Sequence, residues 1–424
     1  MRPILRAISS KSALQQHSES SGRVGSPPVK RAIEPLPDYF CDNARMRFLF
    51  AVFLITSAVA QTQPRIQISH TTESLRGVST VSSKVAWASG THGTYLRTID
   101  GGHAWTPAPV PDAASLDFRG VVAFSSDEAF LMSSGPGDQS RIYHTSDAGR
   151  HWNLEFTNSN PKGFFDSIAF WDSKHGVVLG DPIPDENGKL KFEVLLTDDG
   201  QTWHQVPPSQ LPEAMEGEGA FAASNTCVAI LRTPPNSENA DSNVWFATGG
   251  KAARVFYSPD RGKSWKVFDT PIIHGPESAG IFSIAFRDAE HGVIAGGDYK
   301  KARDDGPNLA FTADGGKTWK LSDVRPQAYF SAVAYDRAIE ASAEKQDAAE
   351  KSAEKAGKKI RVKPSSPQRL FVIGQDFVLD FRPPADPRRI SAKKAKGFNF
   401  NAVSAYPDGG TLVVGAKGVI ASIP

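Results

Sequence analysis

From Ile66 onward, short runs of β-branched and aromatic residues alternate with Gly, Pro, Asn and Asp, and no long segment of 3.6-residue period appears before residue 338. That pattern predicts strands joined by turns, with almost no helix. Seven times a small or polar residue opens an apolar run: Arg76-Gly77-Val78, Arg119-Gly120-Val121, Asp166-Ser167-Ile168, Glu218-Gly219-Ala220, Phe282-Ser283-Ile284, Ser331-Ala332-Val333 and Asn401-Ala402-Val403. A second apolar run then often ends at glycine, as at Gly90, Gly180, Gly296, Gly374 and Gly415, and a third follows it. Seven openings of this kind predict seven small antiparallel sheets.

Five of the third runs lead into one repeated stretch. It reads TIDGGHAW from Thr98 to Trp105, TSDAGRHW from Thr145 to Trp152, SPDRGKSW from Ser258 to Trp265 and TADGGKTW from Thr312 to Trp319. The remaining copy, TDDGQTW from Thr197 to Trp203, is one residue short; counting back from the tryptophan puts Asp198 at the motif position, counting from the threonine puts Asp199 there. In such a turn the aspartate carboxylate accepts backbone N–H groups, the glycine supplies a positive φ, and the tryptophan packs between neighbouring sheets. The stretch resembles the Asp-box, or BNR repeat. Asp100, Trp105, Asp147, Trp152, Asp198, Trp203, Asp260, Trp265, Asp314 and Trp319 are therefore expected to be structural. The aspartates are 47, 51, 62 and 54 residues apart, a period that suits four-stranded propeller blades with variable loops.

The fold expected is all-β: a seven-bladed β-propeller of four-stranded antiparallel blades. The last run, Gly418 to Ala421, leaves the seventh blade one strand short. Arg65-Ile66-Gln67-Ile68-Ser69 is expected to supply that strand and close the ring, because an open ring would expose sheet edges. Residues 61–424 form this domain, with a charged Ala/Glu/Lys-rich insertion at 338–366, helical or disordered, in blade six.

Composition changes the picture at the N-terminus. Residues 1–45 are polar and rich in Ser and Pro and read as disordered, or as an over-extended reading frame. Met46-Arg47, a 13-residue apolar run from Phe48 to Ala60 and the Ala58-Val59-Ala60 pattern form a secretory signal peptide over 46–60. Met46 fits as the start codon, and the mature chain is periplasmic or secreted, without stable membrane insertion. Removing residues 1–60 takes away 8 basic and 4 acidic residues and leaves 40 Lys+Arg against 42 Asp+Glu, so no nucleic-acid footprint is expected. Cys227 then stands alone in an apolar run, a buried thiol with no disulfide or zinc partner.

The openings are also the candidate chemistry, since the starts of first strands face a propeller's central channel. Arg76, Arg119, Asp166, Glu218 and Asn401, with Phe118, Phe165, Phe330 and Phe400 beside them, are expected around the channel mouth, where they could hold a peptide or sugar. Asp166 and Glu218 are the one acidic pair available for glycoside hydrolysis. Gly217 to Ala222 matches G-x-G-x-x-A but lies in no βαβ unit, so no nucleotide site is read from it. The histidines are scattered, and no cofactor or metal is expected.

The run IAFRDAEHGVIAG from Ile284 to Gly296, continuing to Phe311–Trp319, resembles the photosystem II stability/assembly factor family of BNR-repeat propellers, and the likeness extends over most of residues 70–424. The resemblance implies an exported seven-bladed propeller that binds other proteins or their assembly intermediates; the chain is further expected to be a monomer and non-catalytic. In photosynthetic members an arginine-lined patch is implicated; Arg76 and Arg119 sit at comparable openings here. The alternative is a glycoside hydrolase, since sialidases also carry Asp-boxes. Such an enzyme would show Arg-Ile-Pro near the N-terminus, where this chain has Arg65-Ile66-Gln67.

Overall fold

The computed structural model describes residues 64–231, 242–303, 306–324, 328–337, 369–375, 377–381, 388–390 and 399–424. The N-terminal extension, the apolar run at 48–60 and the insertion at 338–366 lie outside the described residues.

Seven antiparallel sheets follow one another along the chain. Blade 1 comprises Leu75–Thr80, Ala86–Gly90, Thr94–Thr98 and Thr106–Pro109. Blade 2 runs from Phe118 to Thr157 and blade 3 from Phe165 to Gln205. Blade 4 starts at Val228–Ile230, blade 5 at Ala279–Phe286, blade 6 at Phe330–Tyr335 and blade 7 at Phe400–Ala405. The strand expected to close the ring does so: Arg65–Gln67 pairs antiparallel with Ile420–Ile423, Arg65 opposite Ser422 and Gln67 opposite Ile420. This is the seven-bladed propeller of four-stranded blades that the strand runs predict.

The core is divided into seven layers, one between each pair of adjacent blades. Trp87, Phe118 and Leu131 fill the layer between blades 1 and 2, Phe130, Phe165 and Trp203 that between blades 2 and 3, and Leu75, Trp105 and Val414 the layer joining blade 7 to blade 1. Each layer buries apolar area worth roughly 25 cal/mol per Å². Polar pins fasten the strands at the hub: Ala123 N–H donates to Ser79 Oγ at 3.0 Å, Val333 N–H to Ser283 Oγ at 2.9 Å and Thr80 N–H to Ser404 Oγ at 3.1 Å.

Six of the seven openings share one irregularity. Between first and second strands the register slips by one residue, and the extra residue is Arg76, Arg119, Asp166, Phe282, Ser331 or Asn401. A bulge leaves its extra residue unpaired and re-aims its side chain. The residue before each bulge is buried, which corrects one expectation: Phe118, Phe165 and Phe330 are 0 % exposed and Phe400 4 %, so they are interblade core and present no face to the channel.

The repeated turns have a common geometry. Thr98 Oγ1 donates to Asp100 Oδ1 at 2.8 Å and accepts from Gly102 N–H at 3.0 Å, while Ala104 N–H donates to the same carboxylate at 3.0 Å. Asp147, Asp260 and Asp314 repeat this with Thr145, Ser258 and Thr312. In the short copy the aspartate is Asp199, not Asp198: Thr197 Oγ1 donates to it at 3.1 Å, and Gln201 and Thr202 N–H donate at 2.8 and 2.7 Å. The threonine hydroxyl must reach an acceptor two residues on, so the missing residue is absorbed on the tryptophan side.

Candidate functional site

The bulge residues of blades 1 and 2 bring two guanidiniums to one carboxylate. Arg119 Nε donates to Asp117 Oδ2 at 2.9 Å, and Arg76 Nε lies 3.5 Å from Asp117 Oδ1. Both arginines are half-buried, with side-chain exposures of 22 % and 16 %. Burial lowers the Arg76 pKa, and the Asp117 charge opposes that shift. Nearby on blade 1, Glu73 bonds His92 Nδ1 at 2.7 Å, which raises the His92 pKa and holds Glu73 low.

On blade 3 the sign reverses. Asp166 is fully buried and neither carboxylate oxygen has a hydrogen-bond partner. Burial pushes its pKa well up, the nearby Asp181 adds to this, and the Arg119 charge works against it. Asp181 is pushed up to about 6 by burial, although Ala220 N–H donates to it at 3.0 Å. Glu193 is also raised by burial, against a 2.7 Å bond from Asn158 Nδ2. The protonated form of Asp166 is thus favoured here, since an ionised, unbonded carboxylate in this position is costly.

The remaining expected mouth residues have other duties. Asn401 Nδ2 donates to Leu75 O at 2.7 Å and stitches blade 7 to blade 1. Glu218 does not open a blade at all, which corrects the fourth opening. It lies in a two-residue strand paired with Gly249–Gly250, outside the blade-4 sheet. Its carboxylate is fully buried and takes Nε and Nη2 of Arg254, the Thr248 hydroxyl and Met215 N–H. A carboxylate locked in that way cannot act with Asp166 across a glycosidic bond, so the acidic pair on which the hydrolase alternative rests is not assembled.

Between Glu218 and blade 4 the chain crosses the hub. Ala222 O accepts from Arg119 Nη1 of blade 2 at 3.0 Å, and Ser224 Oγ donates to Ser331 O of blade 6 at 2.9 Å. Asn225, at φ 62°, accepts from Ile168 N–H of blade 3 at 2.8 Å, and Thr226 O accepts from Ile284 N–H of blade 5 at 2.9 Å. Blades 2 and 6 are not neighbours in a seven-membered ring, so a segment bonded to both spans the axis. Phe221 lies at its start, stacked on Phe282 at 3.8 Å and 7°. The expected open mouth is therefore occupied by residues 221–226.

The channel is left as a cup of about 370 Å³ with Asn225 and Thr226 among its lining and Arg287, Tyr335 and Arg337 at the other ends of the first strands. Sequence reasoning missed Asp117, Asp181, Asn225, Arg287 and Arg337. Asp117 carried a signal, an acid two residues before a predicted mouth arginine; Asn225 carried none. Among the described residues, no group of three or more His, Cys, Asp or Glu side chains is placed to hold a metal ion.

No protein-family model matches the chain, and no curated protein matches its sequence. Solved structures do match in shape. The structure titled "YCF48 bound to D1 peptide" superposes with a TM-score of 0.55 at 14 % identity, over 86 % of this chain and 96 % of that one. "Structure of U3-55K" gives a TM-score of 0.55 at 12 % identity over 85 % and 98 %, and "Crystal structure of RRP9 WD40 repeats" gives 0.54 at 12 % over 85 % and 97 %. At such identities the likeness is one of fold, shared with propellers of differing sequence.

Proposed function

We propose that the chain is an exported, non-catalytic propeller scaffold that holds another protein or an assembly intermediate, in the manner of a photosystem II assembly factor. The five aspartate turns are, in this reading, Asp-boxes. The single observation that carries the proposal is the convergence of Arg76 and Arg119 on Asp117 from adjacent blades. Two guanidiniums share one carboxylate, so the cluster keeps a surplus positive charge for an acidic or carboxyl-bearing segment. YCF48, whose structure carries a D1 peptide, supports the idea that a propeller of this shape takes a peptide. The blades pack through their core layers and are pinned at the hub by cross-blade hydrogen bonds, a rigid frame suited to presenting such a cluster.

Co-purification from the exported fraction tests it. Arg76→Gln is the cleaner variant, because it removes the charge without setting a second carboxylate beside Asp117, and because Arg119 also holds the hub-crossing segment. The expected result is loss of the captured protein with an unchanged thermal midpoint. A variant that keeps every partner would refute the binding face.

A further inference from the structure

The cup at the hub has a chemistry of its own. Several of its polar side chains are already bonded to one another or to the neighbouring strands. Ser79 Oγ accepts from Ala123 N–H, Ser404 Oγ accepts from Thr80 N–H, and Thr80 Oγ1 donates to Ala405 O at 2.6 Å. Thr226 Oγ1 pairs with Ser283 Oγ at 2.7 Å, and Asn225 bonds both N–H and C=O of Ile168. The exposed wall is divided about evenly between polar and apolar surface; its apolar share comes from residues such as Val121, Ile168, Ala285 and Ala334, and no Asp or Glu is among the described residues that line it.

Among the described residues, the charges that line the cup are cationic. Arg287 follows the first strand of blade 5; its Nε lies 3.0 Å from Asp288 Oδ2, yet this buried atom makes no hydrogen bond. Arg337 follows the first strand of blade 6 and makes no ion pair or hydrogen bond among the described residues. A guanidinium recognises a planar anion through two parallel N–H donors.

We propose that the cup binds a small amphiphilic anion, with an apolar chain inserted along the axis and a carboxylate or sulfonate head held by Arg337 and Arg287. A volume of about 370 Å³ is at the lower end of those that enclose small ligands. A cationic amphiphile would fit the walls and be repelled at the rim. The site is separate from the Arg76–Arg119 cluster, and its test does not depend on a protein partner.

Calorimetric titration of the whole chain with sodium decanoate below its micelle concentration, and with decyltrimethylammonium as the cationic counterpart, decides the matter. Saturable one-to-one binding of decanoate is expected, weakened at least tenfold by Arg337→Glu and by Ala334→Phe, which fills the wall. Asp288→Asn, which releases Arg287, should tighten it. Circular dichroism melts establish that each variant is folded, and Arg337→Gln provides a milder change at the same position. Equal affinity for the cation, no saturable binding of decanoate, or a folded Arg337→Glu variant that binds decanoate unchanged would each overturn the proposal.

Discussion

Gln67 Oε1 accepts the indole N–H of Trp105 at 2.7 Å. The first residue belongs to the strand that completes blade 7, the second to the turn region of blade 1, so one bond fastens the closing strand to the blade it meets. The equivalent indoles of blades 4 and 5 stay within their own turns, Trp265 on Gly262 O at 2.9 Å and Trp319 on Gly316 O at 3.0 Å. Gln67→Ala should cost about 1–3 kcal/mol, since it leaves a buried indole donor without its acceptor. Urea unfolding followed by tryptophan fluorescence measures this, and Gln67→Glu, which keeps an acceptor, should recover part of the loss.

Arg254 and Glu218 form the most enclosed ion pair among the described residues, with side-chain exposures of 8 % and 0 %. Removing one partner strands a buried charge, at roughly 3–5 kcal/mol. Glu218→Met should therefore lower the unfolding free energy by that amount, and Arg254→Met by a similar one. The double variant Glu218→Met/Arg254→Met should cost well under the sum, because neither charge is then left alone. Equilibrium denaturation of the four proteins gives the coupling directly; additive losses would show that the two side chains act independently.

The same pair shows why part of the molecule was legible in the sequence and part was not. Blades were readable because strand runs and turn residues are local signals, and six openings coincide with real bulges. Glu218-Gly219-Ala220 imitates an opening, yet its fate is set by Arg254, 36 residues away. Phe118 and its counterparts were expected at the mouth because they adjoin the opening residues in sequence, whereas the bulge re-aims only the extra residue and leaves the phenylalanine in the interblade layer. Blade 4 opens at Val228 without a polar bulge residue, so no local pattern announces that the preceding segment crosses the axis. Asp117 and Asp181 contribute through tertiary proximity, which neighbours in sequence do not encode.

The short turn gives a discriminating pair of substitutions. Asp199 accepts from the Thr197 hydroxyl and from the N–H groups of Gln201 and Thr202, which pull its pKa down, the Thr202 N–H most of all. Asp199→Ala should cost about 0.5–2 kcal/mol, the range for losing a side-chain acceptor of orphan backbone donors. Asp198→Ala should change stability by no more than about 0.5 kcal/mol, as a surface substitution away from such a bond. Thermal melts of the two single variants settle which aspartate builds the turn; the reverse ranking would restore Asp198.

Asp181 and Asp166 make stability depend on pH in an unusual sense. Burial raises both, Asp181 from an ordinary 3.8 to about 6. An acid that holds its proton more tightly when folded favours the native chain fully below its unfolded pKa, and that advantage is lost as pH rises through the folded value. The share of stability owed to Asp181 should accordingly decline between about pH 4 and pH 6, and Asp166 adds a decline of the same sign, opposite to the usual behaviour of paired carboxylates. Asp181→Asn keeps an acceptor for Ala220 N–H and removes the titration. It should flatten the slope and stabilise the protein at pH 7.5 by about 1–3 kcal/mol, the scale of a two-unit shift. Denaturation midpoints from pH 4 to 8 measure both. Because Asp181 bonds the start of the hub-crossing segment, amide exchange of residues 221–226 should also speed up across the same interval in the parent chain and not in Asp181→Asn. Exchange that is indifferent to pH after correction for intrinsic rates would separate the acid cluster from the segment it touches.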